Sequence, residues 1–471
     1  MSVIEKIFHL SANKTTVRRE ITAGSVTFLT MAYIIFVQPA ILSQAGMDFS
    51  SVMAATCISS AITCFVMGFW ANYPIALAPG MGENFFFTFT VCIMMGVPWQ
   101  SALAIVFISG IMFFLLTMFN IRQMVIEAVP HSQKSAIAVG IGIFIAFIGL
   151  SDAGIIVRNN AGLAPIAFTG GEGMSTVDFL LAKFSQFEYA SGYVKLGRLA
   201  NPATLLALFG LFLTAVLLVR KVKGAILWGI LSALVLALIT GMVKWEGLIA
   251  PPPDITPTLF KMDILSVLKI SMLPVILVFL FMDTFDTIGT FIGVTEQAGL
   301  LKNGKMERAQ QALFADAIGT MVGASCGTST VTSFIESTAG VQAGGRTGLT
   351  AVTVGLLFLL ALFFEPLVKM VGGGYALGNN LFLYPITAPA LIIVGAMMAR
   401  NVSSIDWKDY TEALPAFLVI IGMPLTYSIA DGLAFGFITY PFLKLVSGRD
   451  KECSALMYGL GAIFVLRYIF L

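Results

Sequence analysis

The chain has 471 residues, 58% of them hydrophobic and 11% charged, with a mean hydropathy of +0.92. Soluble domains carry about 25% charged residues, so this composition excludes a water-soluble fold of such length. A net charge of +2 leaves no electrostatic footprint for nucleic acid. The five cysteines form no CxxC pair and no cluster with the two histidines, so no zinc site, disulfide framework or other cofactor is expected.

The first twenty residues, MSVIEKIFHLSANKTTVRRE, lack the uninterrupted apolar core and small-residue cleavage site of a secretory signal. They read as an amphipathic cytoplasmic lead-in carrying Lys6, Lys14, Arg18 and Arg19. A spanning helix needs about 20 mostly apolar residues. Such runs occur at 21–45, 51–71, 98–119, 134–151, 202–219, 224–243, 268–293, 309–324, 348–366, 384–400, 412–427 and 431–447. Two further segments are apolar but interrupted: 74–95, broken at Ala78-Pro79-Gly80-Met81-Gly82, and 327–341, a short Gly/Ser/Thr-rich stretch. Together they make fourteen. A last apolar run, 453–471, carries Arg467 and reads either as a short extra span or as an interfacial helix.

The interrupted segments are the third and the tenth, seven apart. Interrupted segments at matching positions of two halves point to a transporter's binding site. Seven spans per half is odd, so the halves are inverted repeats, 1–245 (segments 1–7) and 262–471 (segments 8–14). Lys and Arg mark cytoplasmic loops. With the N-terminus inside, those loops hold Arg122 and Lys134, then Arg220, Lys221 and Lys223, then Lys302, Lys305 and Arg308, then Arg346, then Arg400 and Lys408. The expectation is a multi-pass protein of the cell (inner) membrane, embedded in lipid, with a cytoplasmic N-terminus. The longest loop, roughly 152–200, faces outward on this reading.

A carboxylate inside a span costs roughly 2.5–3.5 kcal/mol on insertion scales and defaults to a functional assignment. Five qualify: Glu83, Asp283, Asp286, Asp316 and Glu336. Asp283 and Asp286, in LPVILVFLFMDTFDTIGTFIGV, are three apart and share a helix face. Either one binds cargo or a proton while the other orients it, or both cross-link helices. Glu336 lies among small hydroxylated residues at a helix break, where free N–H groups and a positive dipole end are available. Asn84, just after the Pro-Gly break, offers a donor and an acceptor that match a heterocycle's edge. Phe85, Phe86 and Phe87 offer faces on which a flat ring stacks, though for any single Phe packing or lipid contact is the favoured reading, because apolar side chains dominate every such helix. Asp316 reads as structural or as part of a proton path.

Several blocks carry a family resemblance in order along the chain: REITAGSVTFLTMAYIIFVQPAIL (19–42), ALAPGMGENFFFTF (76–89), AIAVGIGIFIAFIGL (136–150), DTFDTIGT (283–290), the long block 315–352 around Glu336, and MPLTYSIADGLAFGF (423–437). The chain resembles the AzgA-like branch of the nucleobase–cation symporter (nucleobase–ascorbate transporter) superfamily, permeases for adenine, guanine and hypoxanthine. The resemblance implies an all-α polytopic fold of about fourteen segments in two inverted sevens. It implies a core domain from segments 1–4 and 8–11, a gate domain from segments 5–7 and 12–14, and short strands in segments 3 and 10. The family's base-binding acid in segment 8 falls on Asp286, its second acid on Glu336, and its polar residue in segment 3 on Asn84. Backbone groups near Phe85 and Ile335 supply further hydrogen bonds, with Phe334 beside them. Asp283, Asp316 and Glu83 are left as proton-coupling or supporting groups. The family pattern has an aliphatic residue where this chain has Glu83.

The resulting expectation is a secondary active purine importer, not an enzyme, using alternating access and proton symport, with sodium the other candidate ion. A homodimer is implied by the same analogy. The rival readings are a uracil, xanthine or ascorbate carrier of the superfamily and an anion carrier of the related sulfate-transporter fold. The latter needs a basic residue at the site, and segments 3, 8 and 10 hold none.

Overall fold

The computed structural model describes residues 3–119, 129–158, 194–302, 305–306, 308–378 and 381–470. Arg122 and most of the 152–200 loop lie outside them. Eight described helices are long and apolar enough to cross a membrane, from Val17–Ala45 to Ile429–Val446. Segments 7, 12 and 13 form shorter apolar helices at Ala225–Ile239, Ala388–Ser404 and Tyr410–Thr426, and segment 9 is the helix Ala309–Cys326. The C-terminal run is a helix, Ala455–Phe470.

Local chemistry sets the helix ends. Asp48 caps segment 2 by accepting from Ser51 N at 2.8 Å, and Asn201 caps segment 6 ahead of Pro202. Gly327, at φ +96°, stops segment 9 in a left-handed conformation that a side chain resists. Segment 1 is less regular than its apolar run suggests. It breaks at Ala32–Tyr33 between the helices Val17–Met31 and Ile34–Leu42.

The helices pack in two groups. Segment 11 lies against segments 1 and 2, and segment 9 lies against segments 2 and 4; segment 8 lies on segment 4. In the other group, segment 5 packs against segments 12 and 13, segment 13 against 14, and segment 6 against 7 and 12. Glycines bring the backbones together. A Cβ on Gly142 would sit 2.8 Å from Gly395 O, and one on Gly149 would sit 3.0 Å from Ala388 O.

Segments 3 and 10 carry the strands Leu77–Pro79 and Val331–Ser333, paired antiparallel with Leu77 opposite Ser333 and Pro79 opposite Val331. Phe334 N donates to Ala76 O and Gly80 N to Thr330 O, both at 2.9 Å, which extends the ladder at each end. The strands satisfy each other's backbone groups, so extended chain is tolerated inside the bundle. Beyond the strands, helical turns resume at Met81–Phe85 and Ser337–Gln342. Among the described residues, three other strand pairs, at 156–158 with 194–196, 301–302 with 305–306 and 375–378 with 381–383, lie in connections and were not legible in the sequence pattern.

At the N-terminal end of segment 13, Arg449 pairs with Asp409 and with Glu452 at 2.6 Å, and the buried Lys444 reaches Glu412 and Glu452 at 2.9 Å. Hydrogen bonds from Arg449 hold the Asp409 and Glu452 carboxyls down to about 2. Depressed carboxyls stabilise the fold above their ordinary range near 4, and that stability is lost only as pH falls through about 2. We therefore expect this cluster to stay intact from pH 5 to 8. Thermal unfolding of the purified protein across that range checks it, with Arg449→Met as the variant that lowers stability at every pH.

Candidate functional site

The strand pair aims three segments at one place. Asp286 and Gly289 of segment 8 are exposed, as is Ile335 of segment 10 at 45%, while Glu336 is half-buried. Among the described residues, a Cβ on Gly289 would meet nothing within 4 Å, and one on Gly293 would meet Ile335 Cδ1 at 3.2 Å. These residues flank an open space, or crevice, between segments 8 and 10. Asn84, Glu83, Phe85 and Phe334 are buried beside it, each at 5% exposure or less.

Glu336 precedes the helix Ser337–Gln342 and makes no side-chain cap bond to it. Its Oε1 accepts from Tyr33 Oη at 2.9 Å, and Thr30 Oγ1 lies 3.5 Å from its carbonyl. Tyr33 also lies within electrostatic reach of Asp286. Segment 1 therefore holds Glu336 from behind, through the break at Ala32–Tyr33. Sequence reading missed Tyr33, because YIIFV carries no Gly or Pro to announce a break.

Asp283 and Asp286 share a helix face, as their spacing predicts, yet the structure separates their surroundings. Asp283 is buried and accepts from Thr320 Oγ1 at 2.7 Å. Asp316 is buried and accepts from Thr287 Oγ1 at 2.6 Å, with Thr332 Oγ1 at 3.5 Å. Both acids thus knit segments 8, 9 and 10 together. Glu83 folds back over Gly80, where a Cβ would strike its Oε2, and lies within electrostatic reach of Asp286 and Asp283. Asn84 Oδ1 accepts from Ser329 Oγ, while its Nδ2 has no hydrogen-bond partner among the described residues.

The aromatics divide likewise. Phe85 stacks on Phe89 with centroids 5.5 Å apart, and Phe86 packs on Phe279 at 4.8 Å. Phe89 meets Tyr427 edge-on at 5.9 Å; Phe144 meets the same ring at 5.4 Å. Tyr427 sits in the turn between segments 13 and 14, so these contacts tie segments 3 and 5 to that turn.

An open crevice flanked by two carboxylates and an amide, beside strands in mid-bundle, suits recognition of a small polar solute. Comparison with known proteins decides the class. The Permease family model, Xan_ur_permease, matches residues 18–169 and 167–435. The chain belongs to this permease family. The permease is 39% identical over 470 residues to the adenine permease AdeP of Escherichia coli (strain K12), covering 100% of this chain and 96% of AdeP. It is 40% identical over 471 residues to the guanine/hypoxanthine permease PbuO of Bacillus subtilis (strain 168), covering 99% of this chain and 100% of PbuO. Among solved structures it is similar to the transmembrane domain of a cyanobacterial bicarbonate transporter, BicA. The TM-score is 0.58 at 15% identity, over 89% of this chain and 97% of that one. That likeness establishes the inverted-repeat transporter fold, and the permease is a multi-pass membrane protein rather than an enzyme.

Removing the Tyr33 hydroxyl tests its hold on Glu336. We expect Tyr33→Phe to raise KM for transported solute by about 5- to 10-fold, within the net worth of an ordinary hydrogen bond of about 0.5–1.5 kcal/mol, while kcat changes less than twofold. Concentration-dependent uptake measures both.

Proposed function

We propose that this permease imports purine nucleobases by secondary active transport coupled to protons. One observation carries the reading: Asp286 of segment 8 and Glu336 of segment 10 lie within electrostatic reach of each other at the crevice, with Asn84 following Glu83, which also reaches Asp286, and no salt bridge on Asp286 or Glu336 among the described residues. A purine presents alternating donors and acceptors along flat edges. Carboxylates accept from its N–H groups and an amide completes the edge, so analogues that leave these groups unpaired are rejected. The likeness to adenine and guanine/hypoxanthine permeases supports the same class of cargo.

Proton coupling follows from the same groups. An ionised carboxylate only accepts; once protonated it also donates. Occupancy by a proton at Asp286 or Glu336 therefore changes which edge the crevice binds. We read segments 1–4 and 8–11 as the core and segments 5–7 and 12–14 as the gate, in line with their packing. Asp283, Asp316 and Glu83 support the site on this reading, and the permease works as a homodimer in the inner membrane.

Uptake of radiolabelled adenine, guanine and hypoxanthine in a transport-null host tests the proposal. We expect saturable uptake that uracil and ascorbate fail to compete, and that falls at least 5-fold when a protonophore collapses the gradient. Uptake indifferent to the protonophore but lost without sodium would replace the proton with sodium. Dominant competition by uracil would move the cargo to a pyrimidine. The fold is shared with anion carriers such as BicA, but carboxylates in place of a base at the crevice disfavour an anionic cargo.

A further inference from the structure

The hydroxyl-rich run after Gly327 is tied to segment 1 by one buried side chain. Gln38, in the helix Ile34–Leu42, is 0% exposed. Its Nε2 donates to Thr328 Oγ1 at 2.8 Å and to Ser329 Oγ at 3.2 Å. Ser329 Oγ in turn donates to Asn84 Oδ1. Gln38, Asn84, Thr328 and Ser329 are all fully buried.

With Nε2 on Ser329 and Thr328, and Oε1 buried without a partner among the described residues, the orientation of the Gln38 amide gives this chain of bonds its direction. A serine hydroxyl has a single proton. With an N–H from Gln38 occupying a lone pair of Ser329, that proton points to Asn84. The Asn84 carboxamide must then turn Oδ1 toward Ser329, and Nδ2 is left as a buried donor without a partner. A buried donor left unpaired is costly, so the site retains a fixed demand for an acceptor at this position. Glu336 carries the opposite polarity: Tyr33 occupies its Oε1 and leaves an acceptor oxygen for the crevice.

We propose that Gln38 is a specificity-determining positioning residue, which through Ser329 fixes Asn84 as a donor and so selects a base edge offering an acceptor to segment 3 and an N–H to Glu336. This inference rests on the purine reading. On a 6-oxopurine the carbonyl O6 lies beside N1–H and meets that pattern. On a 6-aminopurine the amino group lies beside an unprotonated N1, and the pattern is reversed. The native permease therefore prefers 6-oxopurines.

The test is competition of unlabelled hypoxanthine and adenine against labelled hypoxanthine, in native protein and three variants. We expect the native protein to prefer hypoxanthine by about 10-fold or more, the cost of one mispaired buried group. Gln38→Met keeps the side chain's bulk and removes its polarity, so the Ser329 proton is no longer directed. The preference should then fall to within about threefold of unity. Ser329→Ala cuts the same relay without touching segment 1 and should give the same loss, which keeps the test sound if Gln38→Met lowers the amount of folded protein. Asn84→Asp, which leaves only acceptors, should reverse the preference. Unchanged preference in both Gln38→Met and Ser329→Ala, with Asn84→Asp altered, overturns the role of Gln38 and leaves the purine site standing. Native preference for adenine also overturns it. Failure of both purines to compete in every protein overturns the underlying purine reading instead.

Discussion

Asp286→Asn and Glu336→Gln each lower purine uptake by about 10- to 100-fold while the amount of protein in the membrane stays the same. Each change keeps the side chain's shape and replaces a charge-assisted acceptor with a neutral amide, a loss of about 1.5–3 kcal/mol per bond. Asp286 is exposed in the crevice, and Glu336 is held there by Tyr33 at 2.9 Å, so neither variant disturbs the packing of the bundle. The comparison that gives the experiment its force is Asp283→Asn and Asp316→Asn. These acids accept from Thr320 and Thr287 at 2.7 and 2.6 Å and bind segments 8 and 9 to each other. Their amide forms should lower the yield of folded protein, with transport per molecule affected less. Normal transport by both Asp286→Asn and Glu336→Gln would refute the site. Radiolabelled uptake, normalised to membrane protein by immunoblot, reads both quantities.

Gly340→Val removes cargo binding through the scaffold rather than the chemistry. The short helix Ser337–Gln342 that follows Glu336 lies directly on segment 1. A Cβ on Gly340 would strike Thr27 Oγ1 and stand 2.8 Å from Ala23 O, and backbone has no rotamer with which to yield. Overpacking of this kind costs about 1–3 kcal/mol, and relief comes only by shifting the helix and Glu336 with it. We expect a lower melting temperature in detergent and a KM raised at least 10-fold. Gly289→Ala is the contrast, because a Cβ there meets nothing within 4 Å. It should fold as the native protein does and alter only the crevice. Equal stability of the Gly340→Val and native proteins would contradict the close approach.

Membrane residence, the spans and the two interrupted segments were all readable from the chain alone, because each depends on local composition or on Gly and Pro punctuation. So were the candidate acids within the spans, since a carboxylate in an apolar run stands out without any knowledge of its neighbours; the fully buried Glu20, at the edge of its run, was not. The face shared by Asp283 and Asp286 followed from helical spacing. What tertiary structure decided is which of them meets the crevice: Thr320, 37 residues away, claims Asp283, and nothing in MDTFDT foretells it. Tyr33 reaches Glu336 across 303 residues, and Gln38 reaches Ser329 across 291. Periodicity tells which face of a helix is buried but is silent about what it is buried against. Hydrogen-bond polarity, moreover, belongs to a network and not to any residue in it. The membrane class and the candidate acids are thus local properties of the chain, whereas the orientation of the amide and the carboxylate that would read a base exists only once segments 1, 3, 8 and 10 have met.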